Sequence, residues 1–566
     1  MTAGAAPGPA GRSAQDRADR RAALDPIGLE VRWDRLAAAT DEAASTMLRT
    51  AFSTIIRESN DYTVVLMDRS GRTIAESRAG IPAFAALMSS LTHLVLERFP
   101  AEEWQDGDCV ITNDPWIATG HLPDIAMITP VFHHGSLVGF AGTAAHSPDI
   151  GGVPTLGATD LLAEGILIPP LRLFRAGRVE QGVKDLLLAN VRLADQVWGD
   201  LEAQAAAHAV CRRRAQEYLV DFRESDFEEF AAAVHTLTDT AMRRAIAALP
   251  DGVYRSSVDA DGAEGHPTHI ECAVEIRGDD VVIDYTGSSQ QVPFATNSTL
   301  NYTRAYSMYP LKILLDPATR TNWGSYRSIR VGAPEGTILN PRFPAPVLAR
   351  HLTGHLLSCA VYQALAPVLP DRVIADSGGA PALRVRFAGL DDDGRPFGLM
   401  LFANAGMGAS LSADGLSTTA FPTNSGVGGI EALEVSSPLR FVRKELRPGS
   451  GGQGRRRGGL GQDIEVHNPT GRPVQMVLLG DRESHPALGL AGGRPGAPAQ
   501  AVLDTGERVP LKSISQLAPG ASVVISFAGG GGFGAPEERE PELLSADEAA
   551  GYTHPVTVTV TEEARP

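Results

Sequence analysis

Hydrophobic positions in the first half of the chain alternate between helical and strand-like spacing. Apolar residues at three- and four-residue intervals predict one long amphipathic helix over residues 29–56, broken near Ser59 and Asn60. Residues 62–67 and 72–75 form two strand-like runs on either side of a polar turn at 68–71 and predict a β-hairpin. Helical patterns follow at 84–98 and 179–248. Three short strand-like runs lie between these two helical segments: 108–112, 125–131 and 137–144.

Beyond residue 250 short strand-like runs and turn signals dominate, and glycine clusters interrupt the segment 430–535. We therefore predict an α+β fold class with a large mixed multi-domain architecture, in which a helix-and-strand N-terminal half precedes a strand-rich, glycine-rich C-terminal half. The expected division has four parts: a disordered arm at 1–27, an N-terminal domain with the candidate site at 28–250, a strand-rich C-terminal region at 251–535 and an acidic mobile tail at 536–566.

Composition narrows the possible functions. The 566 residues are 43% hydrophobic and carry a formal net charge of −17, which argues against bulk electrostatic binding to nucleic acid. No apolar run approaches the ~20 residues that span a bilayer, and the first residues lack the apolar core of a secretory signal. The four cysteines form no CxxC pair. We expect a cytoplasmic protein that binds neither nucleic acid nor membrane.

The densest group of polar residues lies between positions 106 and 151. His121 and Asp124 are three residues apart, but Pro123 between them favours a rigid turn over a helix. His146 ends an apolar run, at a strand end where functional side chains are common. Two imidazoles with carboxylates and no thiolate suit Zn²⁺, Mn²⁺ or Fe²⁺ with an open coordination position. The alternative is a set of turn-forming Asp and Asn residues with two hydrogen-bonded histidines.

Two further observations bear on function. His351 and His355 have metal-ligand spacing, but no glutamate lies between them, and a satisfied role in the core or an interface is favoured. The chain contains no GxxxxGK[ST] loop and no strand-linked GxGxxG with an acidic residue downstream. If nucleotide chemistry is involved, another polypeptide is expected to supply the nucleotide site.

A series of short motifs resembles the hydantoinase B/oxoprolinase family, in family order over roughly residues 28–536. The motifs are 57–61 (RESND), 111–115 (ITNDP), 120–124 (GHLPD), 145–146 (AH) with 149–152 (DIGG), 164–170 (EGILIPP), 188–192 (LANVR) with 199–201 (GDL), 284–288 (DYTGS), 333–336 (APEG) with 339–341 (LNP), 451–454 (GGQG) with 457–461 (RGGLG), and the glycine-rich 529–534.

The resemblance implies a B-type subunit that works with a hydantoinase A-type, ATP-binding partner in a hetero-oligomer. Such pairs open hydantoin, lactam or 5-oxoproline rings, and acetone and acetophenone carboxylases contain related subunits. Mapped by motif, the family's metal ligands fall on Asp61, His121, Asp124 and His146. Spacing alone does not select Asp61. Zinc is the first expectation for the metal, with manganese and iron as alternatives.

The leading hypothesis is ATP-dependent hydrolysis of a cyclic amide. The partner would phosphorylate the amide oxygen, and metal-activated water would attack the activated carbon. Asp149 is the first candidate for orienting a ligand or accepting a proton and Asp114 the second, although both could be turn-capping residues. Two alternatives are a subunit of a ketone carboxylase and a non-catalytic structural partner of the ATP-binding subunit.

The chain also departs from the family pattern. Many members have a second histidine where Ser147 or Pro148 stands, and a Gly-Thr-His sequence where this chain has Thr-Gly-His. The stretch 421–430 differs as well. These differences could alter metal preference or substrate fit.

Overall fold

The first sheet of the molecule is antiparallel and has seven strands. The computed structural model describes residues 25–153, 157–263, 265–379 and 383–553. The strand order is β2-β1-β5-β4-β3-β6-β7. The strands are β1 (Tyr62–Asp68), β2 (Thr73–Glu76), β3 (Cys109–Thr112), β4 (Asp124–His133), β5 (Ser136–His146), β6 (Leu171–Arg175) and β7 (Arg178–Val179). The predicted hairpin and the three predicted strand runs are confirmed.

Helices cover both faces of this sheet. They are α1 (Pro26–Thr50), α2 (Thr54–Ser59), α3 (Pro82–Arg98), α4 (Leu161–Glu164), α5 (Gln181–Ala189), α6 (Ala194–Asp221) and α7 (Glu228–Ala247). Along β1, Val64 and Leu66 pack into the cluster formed with α1, α6 and α7, whereas Val65 and Met67 pack into the cluster that contains α3. Alternate side chains of a strand point to opposite faces, so a strand buried on both faces is continuously apolar.

The helix predicted over 29–56 is divided in two. Ala51 is extended, with φ −64° and ψ 145°, and Ser53 caps α2. Asp200 on α6 accepts hydrogen bonds from the backbone N–H groups of Phe52 and Ser53 at 2.7 and 3.0 Å. This carboxylate, which is distant in the sequence, satisfies backbone donors that would otherwise continue the helix.

A second sheet follows, with strand order β11-β10-β9-β8. Its strands are β8 (Gly252–Ala263), β9 (His266–Arg277), β10 (Asp280–Asp284) and β11 (Ile329–Gly332). Three helices belong to this part of the chain: α8 (Leu300–Leu315), α9 (His351–Gly354) and α10 (Leu356–Leu365). The largest buried cluster joins α3, α8 and α10 with residues of both sheets. This core crosses the proposed boundary at 250/251, and the four-part division stays a prediction.

The C-terminal region pairs two sheets around one core, ordered β13-β12-β16-β19 and β14-β15-β20-β17-β18. The strands are β12 (Leu383–Leu390), β13 (Pro396–Ala403), β14 (Arg440–Leu446), β15 (Gln462–His467), β16 (Val474–Gly480), β17 (Gln500–Leu503), β18 (Arg508–Val509), β19 (Lys512–Leu517) and β20 (Ser522–Ser526). A short helix, α11 (Ile430–Val435), precedes β14. The mixed α+β class and the strand-rich C-terminal half are confirmed.

The glycine clusters allow backbone segments to touch. A Cβ on Gly530 would lie 2.1 Å from the carbonyl oxygen of Met407, and one on Gly458 would lie 1.9 Å from that of Gly530. Only glycine permits such close approach. The glycine excess therefore serves packing between loops in this half of the chain.

Residues 536–553 of the predicted tail contain secondary structure and contact the rest of the chain, while the mobility of the tail stays a prediction. A 3₁₀ turn (Pro536–Glu538) and helix α12 (Pro541–Ala549) follow β20. Arg539 is buried and pairs with Asp414 at 2.8 Å and Asp547 at 2.6 Å, so ion pairs overlooked at the level of composition hold this segment against the glycine-rich loops. Of the predicted arm, residues 1–24 lie outside the described residues, as do 554–566 of the tail. Within the described ranges, no helix is both long and apolar enough to cross a membrane.

Candidate metal centre

At one end of the first sheet, the termini of the adjacent strands β1, β5 and β4 bring three polar side chains together. Asp61 precedes β1, Asp124 is the first residue of β4 and His146 is the last residue of β5. In the antiparallel register Asp124 is paired with His146, and the backbone N–H of His146 donates to the carbonyl of Asp61 at 3.0 Å. The sheet topology thus gathers residues from three separate segments of the sequence in one corner.

His121 reaches the same corner from the turn before β4. Gly120 has φ +93°, and a Cβ there would lie 2.8 Å from Cβ of Tyr302, so both conformation and packing require glycine. Thr119 Oγ1 donates to Asp124 Oδ2 at 2.7 Å and holds the turn against the strand. The turn predicted from Pro123 is present.

The resulting cluster is compact and buried. Oδ1 of Asp124 lies 2.8 Å from His121 Nε2 and 2.8 Å from His146 Nδ1. One ligand atom from each of His121, Asp124 and His146 lies within 4.8 Å of the others. Asp61 Oδ2 is 3.6 Å from His146 Nδ1. His121 and Asp124 are 0% exposed, and Asp61 and His146 are 4% and 3% exposed.

Hydrogen bonding orients the His121 ring. Its Nδ1 lies 2.9 Å from the carbonyl oxygen of Leu348, which can only accept, so Nδ1 carries the proton of this hydrogen bond. Burial lowers the pKa of His121 to about 3, with a further contribution from the Arg350 charge, and the ring is therefore neutral at pH 7. Nε2 makes no hydrogen bond within the described part of the chain. Its lone pair faces a carboxylate oxygen at 2.8 Å, a repulsive contact that a cation would relieve.

Neighbouring groups set the charges of the two acids. Burial alone would raise the pKa of Asp124, but its interactions with His121 and with the Arg350 guanidinium outweigh that effect and hold the pKa well below its ordinary value. The Arg350 guanidinium donates to Asp124 Oδ2 at 2.6 Å. Burial is the largest effect on Asp61 and raises its pKa. Asp124 is therefore the permanent anion of the cluster.

Comparison with known proteins identifies the family. The family model described as hydantoinase B/oxoprolinase matches residues 25–536. The chain belongs to the hydantoinase B/oxoprolinase family. It is similar to the putative B-type subunit of a D-/L-hydantoinase from Pseudomonas sp. (strain NS671), with 29% identity over 577 residues that cover 95% of this chain and 96% of that protein.

Two solved structures share the fold of this family member. The crystal structure of ATP-dependent caprolactamase from Pseudomonas jessenii matches with a TM-score of 0.86 at 29% identity and covers 94% of this chain and 95% of that one. The nucleotide-free structure of acetone carboxylase matches with a TM-score of 0.81 at 21% identity, covering 94% of this chain and 78% of that one. The second likeness concerns the fold alone.

The two acids predicted to be catalytic have structural contacts in this family member. Both oxygens of Asp149 accept hydrogen bonds: Oδ1 from Gly151 N at 3.1 Å and Arg192 Nη1 at 2.9 Å, and Oδ2 from Leu193 N at 3.2 Å and Arg192 N. Asp114 caps a turn by accepting from Trp116 N at 2.9 Å, and burial raises its pKa. Their role in proton transfer stays a prediction.

Several residues at the centre escape sequence reasoning. Glu164 Oε1 accepts from the backbone N–H groups of Val347 and Leu348 at 2.7 and 2.8 Å and so supports the carbonyl that holds His121. Arg350 and Arg384, which lie far downstream of the metal-ligand motif in the sequence, are close to Asp124 and Asp61 respectively. The motif that contains Glu164 was visible, but nothing in the sequence indicates a role for the two arginines here.

His351 and His355 do not belong to the cluster of His121, Asp124 and His146. Both rings are buried, with centroids 5.7 Å apart, which confirms their position in the core. Burial lowers the pKa of each well below its ordinary value. The expectation of a satisfied role is wrong for His351, whose ring nitrogens make no hydrogen bond to any described residue.

A small cavity of about 50 Å³ adjoins the cluster. Such a space holds a few water-sized groups, since one water needs roughly 10–15 Å³ on the same scale. Its wall includes both histidines of the cluster, two carboxyl groups and two arginines: His121, His146, Asp149, Glu164, Arg384 and Arg386. The cluster therefore adjoins a small, mainly apolar space into which several titratable side chains project and in which a small ligand group can lie.

Proposed function

We propose that this chain is the metal-bearing B-type subunit of an ATP-dependent cyclic amide hydrolase. The observation that carries the proposal is the unpaired Nε2 of neutral His121, which among the described residues faces Asp124 Oδ1 beside His146. Family membership and the likeness to an ATP-dependent caprolactamase and to a hydantoinase component support the reaction class. The candidate substrates are hydantoins, lactams and 5-oxoproline.

Asp61, His121, Asp124 and His146 would hold the metal. Neutral imidazole nitrogens and carboxylate oxygens form a donor set that suits zinc first, and manganese or iron as alternatives. Such a metal, when bound, lowers the pKa of a water molecule and polarises a carbonyl group. The described residues fit this role because the donor atoms converge without a proton donor between His121 and Asp124.

The surrounding residues keep these donor atoms in place. Arg350 and Thr119 both donate to Asp124 Oδ2, which leaves Oδ1 directed at the two histidines. The carbonyl of Leu348 fixes the tautomer of His121. Second contacts of this kind orient ligands and increase their basicity. Burial of all four side chains limits bulk water at the cluster and strengthens its electrostatic interactions.

ATP would be bound by a hydantoinase A-type partner, with which this chain would form a hetero-oligomer. The sequence contains no phosphate-binding loop of its own. The matched hydantoinase protein is named as one subunit of its enzyme, which also suggests a partner. The partner would activate the amide oxygen with ATP, and the buried cluster would then act on the activated carbon.

The proposal is tested by reconstituting this chain with an A-type partner. Purified chain should contain close to one equivalent of divalent metal, and the pair should open at least one lactam, hydantoin or 5-oxoproline in the presence of ATP. His121→Ala should lose the metal and ring opening while it keeps the partner association. The control is His93→Ala, because His93 is exposed on α3.

Other outcomes would contradict the proposal. Full metal content and full rate in His121→Ala would show that the site is assigned wrongly. Bicarbonate-dependent ATP turnover with a ketone, and none with any cyclic amide, would indicate a carboxylase subunit. A metal-free wild-type chain that only stabilises its partner would indicate a structural role.

A further inference from the structure

We propose that Arg384 and Arg386 form a seat for a phosphoryl oxyanion beside the metal centre. The inference deepens the proposed function and rests on it in one respect, namely that the anion would be the phosphoryl group of the ATP-activated cyclic amide. The binding of an oxyanion by these two side chains can be measured without any turnover.

The two arginines lie on one strand and share a cavity. Arg384 and Arg386 are alternate residues of β12, so their side chains leave the same face of the strand. Both line the cavity of about 50 Å³ that also contains His121 and His146 in its wall. Two guanidinium groups therefore converge on a space large enough for only a few water-sized groups.

Arg384 is buried without adequate partners. It is 8% exposed, and its Nη2 lies 3.7 Å from Asp61 Oδ2, beyond hydrogen-bond distance. Its Nε makes no hydrogen bond to any residue that the structure describes. Its guanidinium lies 5.0 Å from the centroid of the Phe402 ring. A buried guanidinium with unused donors is costly, which suggests that a ligand supplies the missing acceptors.

Arg386 makes no direct ion pair within the described ranges, because the acids nearest the cavity are paired with other arginines. Asp124 is paired with Arg350 at 2.6 Å and Asp149 with Arg192 at 2.9 Å. Among residues 25–153, 157–263, 265–379 and 383–553, no carboxylate lies within ion-pair distance of Arg386. A bound divalent cation would add further positive charge. The cavity is therefore suited to an anion.

The donor geometry favours a phosphoryl group over a carboxylate. A guanidinium presents a planar fork that binds two oxygens at once, and a phosphoryl group has three free oxygens to offer two such forks. A carboxylate has two oxygens and satisfies one fork. In the proposed reaction the seat would hold the phosphoryl group of the activated substrate beside the metal centre.

Phosphate binding to the metal-loaded full chain tests the inference directly. Inorganic phosphate, titrated by calorimetry, should bind wild type, with sulfate competing and acetate not. Arg386→Met should weaken phosphate binding at least tenfold, and Arg386→Lys should lie between, because a lysine keeps the charge but not the fork. The control is Arg395→Met in the β12–β13 turn, whose side chain is 76% exposed and which should bind phosphate normally.

Metal content and circular dichroism should match wild type in each variant, which separates loss of the seat from loss of fold. Wild-type phosphate affinity in Arg386→Met, or equal competition by acetate, would overturn the inference.

In the reconstituted pair, Arg386→Met should keep ATP consumption by the partner but reduce ring opening at least tenfold. If phosphate binding depends on Arg386 and ring opening does not, the seat holds free phosphate and the activated substrate is not its ligand. If wild type binds phosphate but opens no ring, the proposed function fails and the seat remains.

Discussion

At the residue scale, a backbone carbonyl decides the chemistry of the candidate metal centre. The carbonyl of Leu348 accepts a hydrogen bond from the Nδ1–H of His121, and the opposite nitrogen is left to face Asp124. Glu164 holds the backbone of Leu348 from the other side. Hydrogen bonds thus connect buried Glu164, through the backbone of Leu348, to the candidate metal ligand His121.

Glu164 should make the stability of the chain pH-dependent. Burial raises its pKa from 4.5 to about 8, although the two backbone donors oppose the shift. The folded state therefore holds a proton that the unfolded state releases between these values, and stability should fall as pH rises through this window, by at most about 1.4 kcal/mol per pH unit. Glu164→Gln keeps an oxygen acceptor and removes the titration.

Urea unfolding of the metal-free chain at about pH 5.5 and about pH 8 measures this effect. Glu164→Gln should lose less stability than wild type between the two pH values. The control is Glu507→Gln at an exposed position, which should lose as much as wild type. An unchanged pH slope in Glu164→Gln would show that Glu164 ionises normally in the folded chain.

Sequence reasoning identified the site residues that lie near one another in the sequence and missed those that lie far from them. His121, Asp124 and His146 lie close together in the sequence, and local patterns place them at strand ends. Asp61 was found only through the family resemblance. Arg350 and Arg384 contact the cluster from distant segments, and hydrophobic periodicity carries no information about such contacts.

At the element scale, local pattern predicted strands well and helix ends poorly. The β1–β2 hairpin and strands β3 to β5 follow from short apolar runs and turn residues, which act over a few positions. The break between α1 and α2 depends on Asp200 of α6 and could not be read locally. The break matters for the site because α2 leads directly into Asp61.

Removing the Asp200 carboxylate should destabilise this junction. Asp200→Ala leaves the buried N–H groups of Phe52 and Ser53 without their acceptor, at a cost of about 1–3 kcal/mol. Denaturant unfolding should show this loss. The matched control is Asp371→Ala, an exposed acid that should change stability by less than about 0.5 kcal/mol. Equal stability in Asp200→Ala and wild type would mean that water replaces the carboxylate at no cost.

At the scale of the whole molecule, charge counts were less informative than the positions of the charges. The acidic composition of residues 536–566 predicts a mobile, solvated tail. Asp547 is instead buried between Arg539 and Arg457, at 2.6 and 3.2 Å. Amino-acid composition carries no information about ion pairs between distant segments. The fold class could therefore be predicted from the sequence, but the helix at the C-terminal segment and its ion pairs could not.

The Arg539 network should decide whether α12 stays attached. Breaking a buried pair by removing one partner leaves an uncompensated charge and costs about 3–5 kcal/mol. Arg539→Ala removes the partner of both Asp414 and Asp547, and α12 should then detach locally because these ion pairs link it to the glycine-rich loops. Hydrogen exchange should accelerate at residues 541–549 but not in β12 or β16, and the exposed control Glu537→Ala should exchange like wild type. If α12 remains protected in Arg539→Ala, the pairing of Asp547 with Arg457 alone is sufficient to hold the segment, and the role assigned to Arg539 is wrong.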